Sequence, residues 1–451
     1  MSTQTVRPPA VAGLFYPGEP SALAGQIGRL LENVEDLIAA PKALIVPHAG
    51  YIYSGPVAAS AMAQLRPHRG TIKRVVILGP NHKVPLRAIA MPSVAAFSTP
   101  LGEVPVDHEA LGALDGLPHC VTDDEAHAAE HALEVMLPFL QVVLDDFTIV
   151  PLVVGQVPGI QVAEVLDRLW GGPETLIIVS SDLSHYLSGA EAQRTDRDTA
   201  RIIERLAVGE LGGERACGFH PLSGLLLEAE SRDLRLTRLD LRHSGDTAGG
   251  MDKVVGYGAW AFEYAFGARI SDQSRAALHA LARRAVIDGA GGSGPPEVPD
   301  EDLPTHLQTL GASFTTITVD GRFRGCRGTI EPVRSLAGDV ARNAYLSALK
   351  DPRVQPLTRD EAERAEIGIS VLSHPHAIEC AGEAELLAAL NPDRDGLILS
   401  EQGRRALFLP KVWRDLPDPR DFLRELKRKG GWPADYWSAD MRAERFSAEY
   451  F

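Results

Sequence analysis

Cysteine is scarce in this chain: 451 residues carry four, Cys120, Cys217, Cys326 and Cys380. They are scattered and form no C-x-x-C pair, which excludes a zinc ribbon and an iron–sulfur signature. Few cysteines and no signal peptide lead us to expect a reducing, cytoplasmic setting. Basic charge is in deficit as well. Lys plus Arg number 45 against 60 Asp plus Glu, a net charge of −15, and a phosphate-binding surface needs the opposite balance. No nucleic-acid partner is therefore expected, and the basic run Arg420–Lys429 reads as the solvated face of a helix. No apolar run reaches the ~18 residues of a membrane span. The glycine-rich stretches match neither a P-loop nor a dinucleotide fingerprint.

Apolar material is ample, at 45% of residues, and the length implies two or three domains. Apolar runs at Ala43–Val46, Arg74–Gly79 and Leu176–Val179 read as buried strands. Each ends in a loop that delivers a histidine: His48, His82 and His185. Open α/β sheets bind ligands outside the carboxyl ends of their strands, so parallel neighbours would bring these three imidazoles to one crevice. Helices are predicted over Pro56–Leu65, with proline in its first turn, and over the apolar stretch Glu130–Val143, which Pro138 should kink. Thr148–Val154 and Val254–Tyr264 complete the strands. Alternating strands and helices predict an α/β domain with a mostly parallel sheet.

A second unit begins near Ile270. It has a helix over Asp272–Ile287, a Pro/Gly-rich acidic loop over Gly289–Pro304, and strands Ser313–Val319 and Gly321–Ile330 across Asp320-Gly321, a strong hairpin signal. Later helices and strands make it α+β.

The segments VAGLFYP, VPHAGYIYSG, ILGPNH, EHALEVMLPFLQ, SSDLSHY, HSGDTAGG and VVGYGAW resemble the Memo family. FRGCRGTIEP, EIGISVLS, GLILSEQGRRALFLPKVW and GGWPADYW resemble the AMMECR1 domain. The resemblance implies a fusion, residues 1–268 followed by 269–451. The first part would share the fold of class III extradiol dioxygenases, which use non-haem iron. It also implies the AmmeMemoRadiSam system of bacteria and archaea, with a radical SAM protein as partner.

By the same resemblance His48 and His82 match metal-binding positions, with Fe(II) the expected metal and another divalent metal or copper as alternatives. Imidazole suits each of these. The third ligand is a carboxylate in the dioxygenases and a late cysteine in some Memo proteins. This chain has no cysteine there; Asp246 fits the carboxylate role and His243 competes with it, or lines the substrate site. The missing cysteine puts thiolate chemistry in doubt. His185 is the expected acid/base, with Asp182 orienting it or a ligand. His131 and Tyr51 are candidates to line a pocket for a small substrate; on a helix only one of Glu130 and His131 would face it. In the second unit Cys326, flanked by arginines, is the candidate reactive thiol. The expected activity is redox or dioxygenase-like, with a non-catalytic metal-binding adaptor as the alternative.

Overall fold

The computed structural model describes residues 5–38, 40–264, 270–299, 303–392 and 394–451. The chain divides into two compact units, Met1–Ala229 with Leu236–Glu263, and Glu230–Arg235 with Tyr264–Phe451. The boundary expected between residues 268 and 269 lies outside the described residues.

The first unit is built on a nine-stranded sheet. Its strands in chain order are β1 (Ala43–Val46), β2 (Arg74–Pro80), β3 (Ile89–Met91), β4 (Cys120–Thr122), β5 (Thr148–Val154), β6 (Thr175–Ser180), β7 (His185–Leu187), β8 (Leu234–His243) and β9 (Val254–Tyr264). They lie in the order β7-β9-β1-β6-β2-β5-β3-β4, with β8 paired to β9. The four central strands, β1, β6, β2 and β5, are all parallel. These are the near-continuous apolar runs, and every residue of β1 and β6 is buried, as a parallel strand covered on both faces requires. The flanks are mixed: β9 runs antiparallel to β1 and β3 antiparallel to β5. In register, Val46 at the end of β1 pairs with Ser180 at the end of β6, and Leu78 on β2 with Val179. The carboxyl ends of three neighbouring strands are thus level, and the loops after them open on the same edge.

Two helices depart from the pattern reading. The helix after β1 spans Tyr51–Met62, starting a turn earlier than Pro56 suggested, with Gly50 as its N-cap and Pro56 in its interior. Proline there forfeits one backbone bond, and the helix ends in a tighter 3₁₀ stretch, Ala63–His68. Glu130–Val143 is not one kinked helix. A 3₁₀ turn over Glu134–Met136 leads into a helix over Leu137–Val143, with Pro138 in its first turn, where its missing N–H costs nothing. Residues 130–132 therefore lie ahead of the first helical turn, which Leu133 caps.

The second unit is α+β. Leu310–Val319 is the centre of one antiparallel sheet, between Arg322–Gly328 and Glu366–Leu372. Gly396–Glu401 is the centre of another, between Arg404–Phe408 and Arg442–Phe446. Helices Asp272–Ala290 and Leu336–Leu349 pack their apolar faces on the first sheet, burying Leu278, Val286, Val340 and Ala344 against Ile317 and Ile369. No helix among the described residues is long and apolar enough to cross a membrane.

Candidate metal centre

His48 comes after β1 and His82 after β2, and the strand between them, β6, ends in Ser180. The loop carrying Glu130 and His131 closes over the same edge. One ligand atom from each of His48, His82 and His131 lies within 4.8 Å of the others. The ring centroids are 5.2 Å apart for His48 and His82, 5.5 Å for His48 and His131, and 5.0 Å for His82 and His131.

What orients the rings decides which nitrogen each one offers. Ser180 Oγ donates to the carbonyl of Ala132 at 2.7 Å, so its only proton is spent. His48 Nδ1, 2.7 Å from the same oxygen, must then be the donor, which leaves the lone pair on Nε2. His82 Nδ1 is 3.0 Å from Glu130 Oε1, and His131 Nδ1 is 3.3 Å from the same oxygen. The His82 Nδ1 hydrogen bond to Glu130 leaves the Nε2 of that ring as its free donor. Outer partners of this kind fix the tautomer and ring angle of metal-binding histidines.

Glu130 is the hub. Its Oε2 accepts the His82 N–H at 2.7 Å, and its Oε1 accepts the N–H groups of His131 at 2.8 Å and Ala132 at 2.9 Å. Burial opposes its ionisation. The hydrogen bond from His82 and the backbone donors of Ala132 and His82 outweigh that, and its pKa falls to about 2. This is possible only because residues 130–132 are not helical: the carboxylate folds back onto its own backbone while His131 points to the other two rings.

Burial also holds two of the rings neutral. It takes His48 down to about 3, aided by repulsion from His82, and His131 down to about 4, aided by repulsion from His48. Buried His127 also falls to about 4. Unfolded, each would protonate near its ordinary ~6.5. The unfolded chain therefore binds protons first, so stability is complete above pH 6.5 and drains as pH falls toward 4. At pH 5 this amounts to about 2 kcal/mol per ring. Asp196, which burial raises to about 6, acts in the opposite sense and offsets part of it. The thermal midpoint of the metal-free protein should be several degrees lower at pH 5 than at pH 7. An equal or higher midpoint at pH 5 would refute this reading of the imidazoles.

The sequence pattern of the family described as "Memo-like protein" matches residues 7–261. This chain belongs to the Memo family. The pattern described as AMMECR1 matches residues 279–451, so the chain is a fusion of the two domains. A MEMO1 family protein of Methanococcoides burtonii is 36% identical over 269 residues, covering 56% of this chain and 98% of its own. One from Aquifex aeolicus is 36% identical over 266 residues, covering 56% and 97%. Among solved structures, the uncharacterized protein PH0010 from Pyrococcus horikoshii is similar over 38% of this chain and 88% of its own, at 30% identity and a TM-score of 0.36.

Within the Memo domain the other expected residues take distinct places. Asp182, after β6, accepts the His48 backbone N–H at 2.8 Å, and its Oδ2 is 4.0 Å from His48 Nε2. Burial pushes its pKa up against that hydrogen bond. His185 donates through Nδ1 to the Leu183 carbonyl, 2.8 Å away. Next to it Tyr186 is 74% exposed and has a φ of +61°, an uncommon conformation for a residue with a side chain. Asp246 is not part of the three-histidine cluster. Its Oδ2 accepts the His243 N–H at 2.9 Å and lies 3.2 Å from His243 Nδ1, closing a one-turn cap. His243 itself is buried against this turn. Tyr51 packs in the core against Phe139 and Tyr16, and its hydroxyl donates to the Val135 carbonyl at 2.7 Å; it is not a surface beside the imidazoles.

Glu130, weighed in the sequence against His131 as the residue facing the site, works beside it as an acceptor, and Cys217, which the sequence did not single out, also lies against the cluster. Cys217 Sγ is 3.4 Å from His48 Nε2, and burial pushes its thiol up to about 12.

In the AMMECR1 domain Cys326 lies on the strand Arg322–Gly328. Its N–H donates to Asp351 Oδ2 at 2.8 Å, its carbonyl accepts from Arg353 at 2.8 Å, and Thr316 Oγ1 donates to its sulfur at 3.4 Å. The glycines beside it serve packing. A Cβ on Gly325 would lie 2.0 Å from the Ser347 carbonyl oxygen, and one on Gly328 would lie 2.2 Å from the Phe314 ring.

Proposed function

We propose that the Memo domain holds a divalent transition metal, Fe(II) first, on His48, His82 and His131, and uses it in redox or dioxygenase-like chemistry on a small substrate. The observation that supports this is the three-imidazole cluster, with Nδ1 of His48 and of His82 hydrogen-bonded to Ser180 and Glu130. The donor set fits: three neutral nitrogens suit iron, copper or zinc, and a three-ligand set leaves positions for substrate. When bound, the metal would supply Lewis acidity toward a substrate oxygen. The protein's own groups do the rest. Ser180 and Glu130 fix the rings. Asp182 holds the His48 backbone. His185, on the strand after the Asp182 loop, is proposed to take or give a proton, a task its residue type suits. Cys326 is proposed as the reactive thiol of the AMMECR1 domain, and a radical SAM protein as the partner of the fusion.

The test is elemental analysis after anaerobic purification and Fe(II) loading. The wild type should carry near-stoichiometric iron. His48→Ala, His82→Ala and His131→Ala should each lose most of it while keeping their far-ultraviolet circular dichroism, and Asp246→Ala should retain it. Loss in Asp246→Ala with retention in His131→Ala would return the third position to the carboxylate. No metal in the wild type would sink the metal reading altogether.

A further inference from the structure

We propose that Arg353 and Lys429 form an anion-binding subsite beside Cys326, so that this thiol serves a substrate carrying a carboxylate or phosphate group. The proposal rests on the reading of Cys326 as a reactive thiol. Of the two arginines that flank it in sequence, Arg324 turns to Glu361, with Nη2 3.2 Å from Oε2. Arg327 is the next residue on the strand, and neighbours along a strand face opposite sides. The guanidinium at Cys326 is instead that of Arg353, from the turn after the helix Leu336–Leu349. Its Nη2 donates to the Cys326 carbonyl at 2.8 Å.

The aim of that guanidinium is fixed. Asp351, whose side chain is wholly buried, accepts Arg353 Nε at 2.9 Å and Nη2 at 2.6 Å, and also accepts the Cys326 N–H at 2.8 Å. One carboxylate thus ties guanidinium and cysteine together. Arg353 Nη1 has no partner among the described residues, and the side chain is 59% exposed, so that edge is open to a ligand. Its centre lies 5.0 Å from the ring of Phe323, itself 45% exposed. A planar guanidinium edge matches carboxylate and phosphate oxygens. Lys429 adds a second cation. Its Nζ donates to the Leu407 carbonyl at 2.8 Å, which leaves two of its three protons for another acceptor. Burial and the charge of Arg353 hold its ammonium below the ordinary lysine range, and Cys326 acts the other way. Two like charges side by side repel, and an anion between them removes the repulsion. Asp351 cancels only one of the two, on a chain whose net charge is −15.

The experiment alkylates the full chain at neutral pH with iodoacetate or with iodoacetamide and follows each cysteine by peptide mass spectrometry. Both reagents bond carbon to sulfur and release iodide, but only iodoacetate carries a carboxylate. The ratio of the two rates cancels the thiolate fraction, which both reagents share. Cys380, beside Glu379 and Glu385, is the internal control. The ratio at Cys326 should favour iodoacetate about tenfold over the ratio at Cys380, the worth of one hydrogen bond to a charged group, and the rate should saturate. Lys429→Ala should remove most of that preference, and Lys429→Arg should restore it. Inorganic phosphate or acetate should protect Cys326, and whichever protects at the lower concentration names the group. Equal ratios at the two cysteines, or no protection by either anion, would overturn the subsite and leave the reactive thiol standing wherever Cys326 outpaces Cys380 with iodoacetamide. A Cys326 no faster than Cys380 with both reagents would overturn both readings.

Discussion

Glu130→Ala should weaken the fold and the metal site together. The substitution leaves the N–H groups of His82, His131 and Ala132 without their acceptor, and frees the Nδ1 atoms of two rings. An unsatisfied buried donor costs about 1–3 kcal/mol. Three of them, partly relieved by water at the exposed His82, give an expected loss of about 3–5 kcal/mol in urea unfolding. Metal affinity should fall by at least the ~10–100-fold typical of outer partners, because both rings can then turn. Glu130→Gln separates the two effects. It keeps an acceptor oxygen for the backbone, so most of the stability should return while the affinity stays low. Wild-type stability and affinity in Glu130→Ala would remove the hub role.

Glu134→Ala should be comparably severe for a different reason. Glu134 is fully buried, and its carboxylate accepts from Arg7 at 2.8 Å, the Ala10 N–H at 2.7 Å, the Val11 N–H at 3.0 Å and the Tyr16 hydroxyl at 2.6 Å. Arg7 is buried too, and donates to the carbonyls of His127 at 2.7 Å and Glu130 at 2.6 Å. Removing one partner of a buried ion pair strands the other charge and costs about 3–5 kcal/mol. Arg7→Met combined with Glu134→Leu should lose less than Glu134→Ala alone, since no charge is stranded, though the N–H groups of Ala10 and Val11 still lack their acceptor. If the double variant is the less stable of the two in chemical denaturation, the stranded charge is not what matters. Because Arg7 grips the carbonyl of Glu130, Glu134→Ala should also loosen the loop that presents His131, visible as faster amide exchange there.

The sequence makes some of these residues legible and hides others, depending on whether their role is set locally. His48 and His82 were readable because a buried parallel strand is a near-continuous apolar run, and the loop after its carboxyl end lies on the binding edge. The parallel core and both family resemblances rest on such local patterns. His131 was readable as a residue of the site but not as the third imidazole. EHALEVMLPFLQ has helical spacing, and on a helix Glu130 and His131 would diverge. Only the late start of the helix at Leu137, with Pro138 in its first turn, frees both to work on the same centre. Asp246 has the right chemistry for a ligand, yet its carboxylate goes to His243, a choice made by a one-turn cap that spacing does not announce. Cys217 carries no local signal beyond the glycine after it. Its partner His48 is far away in the chain, and the family resemblance pointed to the region of Asp246, where there is no cysteine, rather than to position 217.

The strand order carries a consequence for how the protein is made. His48 stands just past β1, whose neighbours are β6 on one side and β9 on the other. A ribosome delivers His48 and His82 long before it delivers either neighbour. Pairings between such distant stretches are slow to form, because a long loop must close before any contact rewards it. The imidazoles of His48 and His82 can be brought level only after β6, the strand between β1 and β2, has been synthesised and paired. If the proposed centre binds an ion, loading should follow synthesis of all three histidines and closure of the strands that carry them.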